Sequence, residues 1–366
     1  MAYLDYAANT PVDGRVLIKF LEESEHYVAN PNSNHTLGRE ARNKINECSK
    51  YIGSFFNADA EAVIYTSGAS EANNLVIKGI AGMHDKGKII ISAVEHSSIV
   101  GPCNYLADKG YDVAVIPLKE NGQVDLEVLE NEMTDDTILV SICYVDSELG
   151  TIQPIKKIAN IVSNYPNCKF HTDATQAIGK IDVNFECVDF VTFSPHKFYG
   201  LPGTGVLLNL TNTKLVPLIH GGKSTTPYRS GTPTTADIEC CALALDLAMN
   251  RFEDRYDRSV KIAEYLKEGL RKLNIELNTP VNAIPNTINF SVNNADDLYK
   301  YLDKREIYVS TKAACALDDV PSKSVLAITG DKEKALNSIR VSISHLTNFS
   351  DIDEFLEALG AWLKEQ

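Results

Sequence analysis

Short β-branched and aliphatic runs alternate along this chain with longer stretches in which apolar positions recur every three or four residues. The runs at 62–66, 88–92, 112–117, 138–145, 169–173, 189–194 and 205–209 read as strands. Between them, 70–86, 97–109 and 155–165 have helical periodicity and enough length to serve as the crossovers that parallel neighbours require. This predicts an α/β fold with a mostly parallel central sheet flanked by helices. A polar helical pattern with no breaker inside it then runs from 236 to 273. Beyond it, strands at 287–292, 307–310 and 338–344 interleave with helices at 295–305 and 350–364, the pattern of a smaller α+β domain hinged on the long helix. The expected division is a large α/β domain over 14–251 and a small α+β domain over 1–13 and 252–366. The strand at 3–6 has no partner in the local pattern and fits either domain.

Composition narrows the function classes. With 366 residues, 44% of them hydrophobic and 23% charged, the chain has the make-up of a folded, water-soluble protein. Its 35 Lys and Arg against 49 Asp and Glu give a net charge of -14, which repels nucleic-acid backbones and anionic lipid. No basic segment followed by an apolar stretch opens the chain, and no run approaches the ~18 apolar residues of a spanning helix. We therefore expect a cytoplasmic protein with neither a nucleic-acid nor a membrane partner. Eight cysteines without a Cys-x-x-Cys pair predict reduced, mostly buried thiols and no metal site. Cys315 stands apart, because its neighbours are small and polar rather than apolar.

The chemistry concentrates where strands end, which is where open parallel sheets collect ligands. The run 190–193 stops at Ser194-Pro195-His196-Lys197, and a lysine amine at such a mouth can form a Schiff base with an aldehyde cofactor. The run 169–173 ends in Asp173 with Gln176 just beyond, and a carboxylate there can keep a pyridine nitrogen protonated. Thr66-Ser67-Gly68-Ala69-Ser70 leads from a strand through small residues into a helix, the make-up of a phosphate cup. His96 comes just after another strand and could lie flat on an aromatic ring. Each feature alone has an ordinary alternative: surface lysine, helix cap, helix start or structural histidine. Together, in this order along an α/β chain, they describe a site for pyridoxal 5′-phosphate.

With these residues in hand, the sequence resembles the pyridoxal-phosphate-dependent cysteine desulfurases of the NifS/IscS type, fold-type I members of the class V aminotransferase family. The likeness covers essentially the whole chain. Besides the strand-end motifs, it runs through Tyr3-Leu4-Asp5-Tyr6-Ala7-Ala8-Asn9-Thr10-Pro11, Asn30-Pro31-Asn32-Ser33-Asn34-His35, Arg229-Ser230-Gly231-Thr232 and Ser338-Ile339-Arg340. The resemblance implies that Lys197 holds the cofactor, Asp173 partners the ring nitrogen, Gln176 donates to the phenolic oxygen and His96 stacks on the ring and moves protons. It assigns Ala69, Ser70, Ser194 and His196 to the phosphate, and Thr232 to the phosphate of a neighbouring subunit, hence a homodimer. Arg340 matches the grip on the substrate carboxylate, with Ser147 and Asn32 also at substrate positions. Cys315 matches the nucleophile that takes sulfur from L-cysteine as a persulfide, leaving L-alanine. The sulfur would pass to an acceptor protein, an iron–sulfur scaffold being one candidate.

Departures from the family pattern cluster near the substrate. Asp146-Ser147-Glu148 stands where Asn-Asn-Glu is usual, Lys223-Ser224 replaces a Gly and a Gln or His, and Lys312-Ala313-Ala314 replaces Gly-Ser-Ala before Cys315. They leave open another class V enzyme, such as a selenocysteine lyase, an aminotransferase or an amino-acid lyase, with Cys315 incidental. A catalytically retired scaffold is a third reading.

Overall fold

Consecutive residues of the central strands point into two different cores, which is why the strands read as continuous apolar runs. Ile90, Val191 and Leu208 join one cluster, while their neighbours Ile89, Ile91, Phe190 and Leu207 join the other. The computed structural model describes residues 1–222, 224–311 and 320–366. In chain order its first half holds β1 (Ala2–Tyr3), α1 (Gly14–His26), α2 (Thr36–Ser54), β2 (Val63–Thr66), α3 (Ala69–Ala81), β3 (Lys88–Ser92), α4 (Ser97–Ala107) and β4 (Asp112–Ile116). Next come α5 (Leu126–Glu132), β5 (Thr137–Ser141), α6 (Ile155–Val162), β6 (Lys169–Asp173), β7 (Phe190–Phe193) and β8 (Gly205–Asn209).

These strands form a seven-stranded sheet in the order β2-β8-β7-β6-β5-β3-β4. It is parallel except at β8, which runs against both its neighbours. Helices α3 and α4 cover one face through Leu75, Val76, Ile99 and Cys103. The other face packs on α1, α2 and α6 through Val16, Ile45 and Ile158. The run expected as a strand through 145 leaves the sheet after Ser141, and Cys143 and Val145 go on to line a cavity beyond the strand ends.

The pattern expected as one helix from 236 to 273 is two, α7 (Thr235–Met249) and α8 (Phe252–Lys272). The break needs no proline: Arg251 has φ -116° and ψ 18°, outside the helical region. Its cause is packing. Leu245 and Ala248 of α7 face the core of the large sheet, whereas Ile262, Leu266 and Leu270 of α8 face a second core.

That second core gathers β9 (Thr287–Ser291), α9 (Ala295–Asp303), β10 (Ile307–Tyr308), β11 (Ser338–Ser342) and α12 (Phe349–Glu365), with α10 (Lys323–Thr329) and α11 (Lys332–Leu336) beside it. Strands β9 and β11 pair antiparallel. The opening strand finds its partner here: β1 pairs parallel with β10, and Ala2 and Leu4 are fully buried in this core.

Candidate active site

A cavity of about 430 Å³ lies between the strand ends of the large sheet and β11. Lys197 closes a 3₁₀ turn (Pro195–Lys197) immediately after β7. Its Nζ donates to the carbonyls of Ala7 at 2.9 Å and Ala8 at 2.5 Å, so the chain's opening segment is tied to the lysine. Asp173, the last residue of β6, is buried and held by two donors: Asn73 Nδ2 at 2.8 Å on Oδ2 and the Thr175 amide at 3.0 Å on Oδ1. Asn73 also donates to Ser98 Oγ at 2.9 Å, and Ser98 Oγ lies 2.8 Å from His96 Nδ1. Because the Ser98 amide donates to the same Nδ1, the network places the ring proton of His96 on Nε2. Burial lowers the pKa of His96, the Asp173 charge opposing and the Lys197 and Lys323 charges assisting.

The turn from β2 into α3 is built to face an anion. The N-cap of α3 is Gly68, with no side chain to satisfy the first helical amides, whereas α1, α4 and α5 are capped by Asp13, His96 and Asp125. The turn lies flat on β8 because residue 205 is glycine; a Cβ there would fall 2.4 Å from the Gly68 carbonyl carbon. Glu71 is drawn aside, accepting from the Ser67 amide at 2.8 Å and Arg229 Nε at 2.9 Å. Ala69, Ser70 and His196 line the cavity. Ser194, fully buried, stands behind His196 at 2.8 Å and commits its hydroxyl to Thr204 O. Burial, with the charges of Lys197 and Lys180 assisting, pulls His196 down to about 4.

Opposite the sheet, Arg340 of β11 is 2% exposed. It donates from one terminal nitrogen to Ser147 O at 3.0 Å and pairs the other with Asp5 Oδ1 at 2.8 Å. Its Nε has no partner among the described residues, which leaves a buried donor at the cavity wall. Gln176 Nε2 donates to Ala7 O at 2.9 Å, and its Oε1 accepts from Lys180. Burial, with the like charges of Lys197 and Arg340, pulls the Lys180 amine down to about 7.

The cavity thus brings together Lys197, Asp173, Gln176, His96, Ala69, Ser70, His196, Arg340 and Ser147. Three expected residues do not line it: Thr232, Asn32 and Ser194, whose hydroxyl is committed to Thr204 O behind His196. Thr232 lines an adjoining pocket of about 120 Å³ with Ser67 and Arg229. Asn32 sits on an exposed turn, its amide donating to Asn30 Oδ1 at 2.9 Å. Cys315, with Lys312, Ala313, Ala314 and, separately, Lys223, lies outside the described residues. Of the described cysteines only Cys187 is exposed, and all are free. Among the described residues no group of three or more His, Cys, Asp or Glu could hold a metal ion.

Sequence reasoning did not assign roles to Asn73, Asp5 or Lys180. Asn73 carried a signal, being a polar residue on the apolar face of α3 between Ala72 and Leu75. Asp5 carried none beyond its motif, since its partner Arg340 is 335 residues away.

The residues present fit pyridoxal 5′-phosphate: an amine, a carboxylate fixed by two donors, an uncapped helix start and an orphaned guanidinium nitrogen surround one space. The sequence profile of the class V aminotransferases matches residues 2–355. A cysteine desulfurase IscS of Dictyoglomus turgidum is 37% identical, over 98% of this chain and 93% of its own length. IscS 1 of Archaeoglobus fulgidus is 33% identical over 98% and 96%. Among solved structures, a NifS-like protein superposes with a TM-score of 0.94 at 31% identity, covering 100% of both chains. SspA in complex with cysteine superposes with a TM-score of 0.85 at 31% identity, over 95% of this chain and 100% of its own. The chemistry of the cavity and these near full-length matches agree, and the chain belongs to the class V aminotransferase family, among its IscS- and NifS-like members.

Proposed function

We propose that the protein is a cysteine desulfurase using pyridoxal 5′-phosphate, converting L-cysteine to L-alanine and taking the sulfur onto Cys315 as a persulfide. The observation that carries this reading is the single cavity shared by Lys197, Asp173 and Arg340. Support for the substrate comes from relatives named as cysteine desulfurases and from a structural neighbour, SspA, seen with cysteine.

Bound pyridoxal 5′-phosphate supplies an electron-accepting ring for the pair left behind when a substrate loses its α-proton. Lys197 would hold its aldehyde, Asp173 its ring nitrogen, Gln176 its phenolic oxygen, and the Gly68–Ser70 turn with His196 its phosphate. Arg340 binds the substrate carboxylate, its fork aimed by Asp5 and Ser147 O. Lys197 Nζ moves the α-proton, since it is the basic nitrogen on the cavity wall opposite Arg340. His96, neutral with its proton on Nε2, is a donor at the same wall. The Cys315 thiolate attacks the substrate sulfur; the carbon–sulfur bond breaks, alanine leaves, and the sulfur atom stays on the protein.

Three features of setting belong to the same proposal. A homodimer in which Thr232 reaches the partner's phosphate site accords with its place in the pocket beside Ser67. A large body over 14–251 and a small one over 1–13 and 252–366 accord with the separate second core that takes in Leu4. A cytoplasmic enzyme delivering sulfur to an acceptor protein accords with the relatives' names; no described helix is long and apolar enough to cross a membrane. The test is intact-mass measurement after incubation with L-cysteine, expected to show one added sulfur mapping to Cys315. Alanine production without any sulfur on that residue would overturn the transfer step.

A further inference from the structure

Gln176 is a primary amide, and its oxygen and nitrogen have nearly the same shape but opposite hydrogen-bonding sense. Only the orientation that presents Nε2 can donate to a cofactor's phenolic oxygen. Two neighbours decide which way it points. The Ala7 carbonyl can only accept, and it takes Gln176 Nε2 at 2.9 Å. From the other side Lys180 Nζ donates to Gln176 Oε1. The same Ala7 carbonyl receives Lys197 Nζ at 2.9 Å, so one chain of hydrogen bonds links Lys180, Gln176, Ala7 and Lys197.

Lys180 does not line the cavity of about 430 Å³; it borders a small one of about 20 Å³ with Ala7 and Lys197, and among the described residues no carboxylate pairs with it. It is only partly exposed, and its amine faces the like charges of Lys197 and Arg340. A lysine drawn inward without a counter-ion is costly unless its hydrogen bonds are used. The turn that carries it is pinned by Ile178 N to Ala174 O at 3.1 Å and Ile181 N to Ala177 O at 3.2 Å, which sets Lys180 behind Gln176.

We propose that Lys180 is a positioning residue that locks the Gln176 amide with its nitrogen toward the cofactor's phenolic oxygen. The inference rests on the proposed cofactor and extends its site to a residue outside the cavity. The test uses the holoenzyme, reading the wavelength of the bound pyridoxal phosphate band and the rate of cofactor release. Lys180→Met is expected to shift the band and speed release on the order of fivefold, the effect of one lost hydrogen bond. Lys180→Arg, which keeps the donor, restores both. In a Gln176→Leu background, Lys180→Met adds no further change. Should Lys180→Met not fold, Lys180→Glu takes its place; its carboxylate, beside Lys197 and Arg340, accepts and does not donate, and it is expected to shift the band likewise. A parental band and release rate in the variant that lacks the lysine donor, or an equal change without Gln176, would overturn the proposal. A parental protein that shows no cofactor band would instead sink the cofactor reading, and this inference with it.

Discussion

The two walls of the cavity are built differently. The sheet wall, with Asp173, Lys197 and His96, consists of residues at or just beyond the ends of β6, β7 and β3, each anchored by the apolar strand before it. Two of its groups are cross-braced around the large sheet, Asp173 through Asn73 and Ser98 to His96. The opposite wall, with Asp5, Ala7, Ala8 and Arg340, joins the start of the chain to β11. Ala7 N reaches Ser342 Oγ at 2.9 Å across 335 residues, and Arg340 depends on Asp5 over the same span. The bonds that brace Asp173 and His96 span at most 100 residues, whereas the second wall exists only once a loop of 335 has closed. In the proposed enzyme this divides the labour: cofactor chemistry falls to the side braced by the sheet, substrate grip to the side assembled by distant contacts. The Ala7 carbonyl, bonded to both Lys197 and Gln176, joins the two.

Substitutions on the two walls should therefore separate. Lys197→Ala is expected to lower alanine formation on the order of 10³-fold or more, as loss of the proton-moving base requires, and to abolish the bound-cofactor band. Arg340→Lys loses the planar fork; the Michaelis constant for L-cysteine should rise roughly 10- to 100-fold while the cofactor band stays in place. A moved band in that variant would break the division. Asp5→Asn keeps an acceptor for Arg340 but drops the charge, so the Michaelis constant should rise about threefold with the spectrum unmoved.

The smallest effect concerns pH and the buried ground beneath the sheet wall. Glu95, fully buried, accepts from Ser92 Oγ at 2.5 Å and the Cys143 amide at 2.8 Å, while Oε2 has no partner among the described residues. Burial, with the Asp173 charge adding, pushes its carboxyl up to about 8. An acid raised in the folded state stabilises fully below its ordinary value of 4.5 and loses that stability as pH rises through about 8. Glu95→Gln cannot ionise, so its melting temperature relative to the parent should climb between those values. A difference that does not vary with pH would show that Glu95 is ionised throughout. His171 and His196, pulled down to about 4 chiefly by burial, act the other way: both lose stability as pH falls from 6.5 toward 4.

Much of the sheet wall was legible in the sequence. Strands β3, β6 and β8 have the bounds their sequences suggest: in β3 and β8 burial on both faces leaves no polar interruption until the strand ends, and in β6 the buried His171 is bonded to Ser141 and Thr192 of its neighbouring strands. Polar groups just past those ends were readable for the same reason. The break between α7 and α8 was not, because nothing local marks it; two cores pull neighbouring segments in different directions. Helices α1 and α2 and the pairing of β1 with β10 also escaped the pattern, the last because its partner lies about 300 residues on.

By itself the sequence determined the α/β class, the positions of the central strands and the inventory of amine, carboxylate, imidazole and small-residue turn. Those depend on periodicity and on the residues just past each apolar run, and both are local. Tertiary structure alone decided that Asp5 holds Arg340, that Ala7 bridges Lys197 and Gln176, and that Lys180 stands behind the amide. Hydrogen bonds reach only about 3 Å, and which distant residues come within that reach is set by how the two cores pack, not by any short stretch of chain.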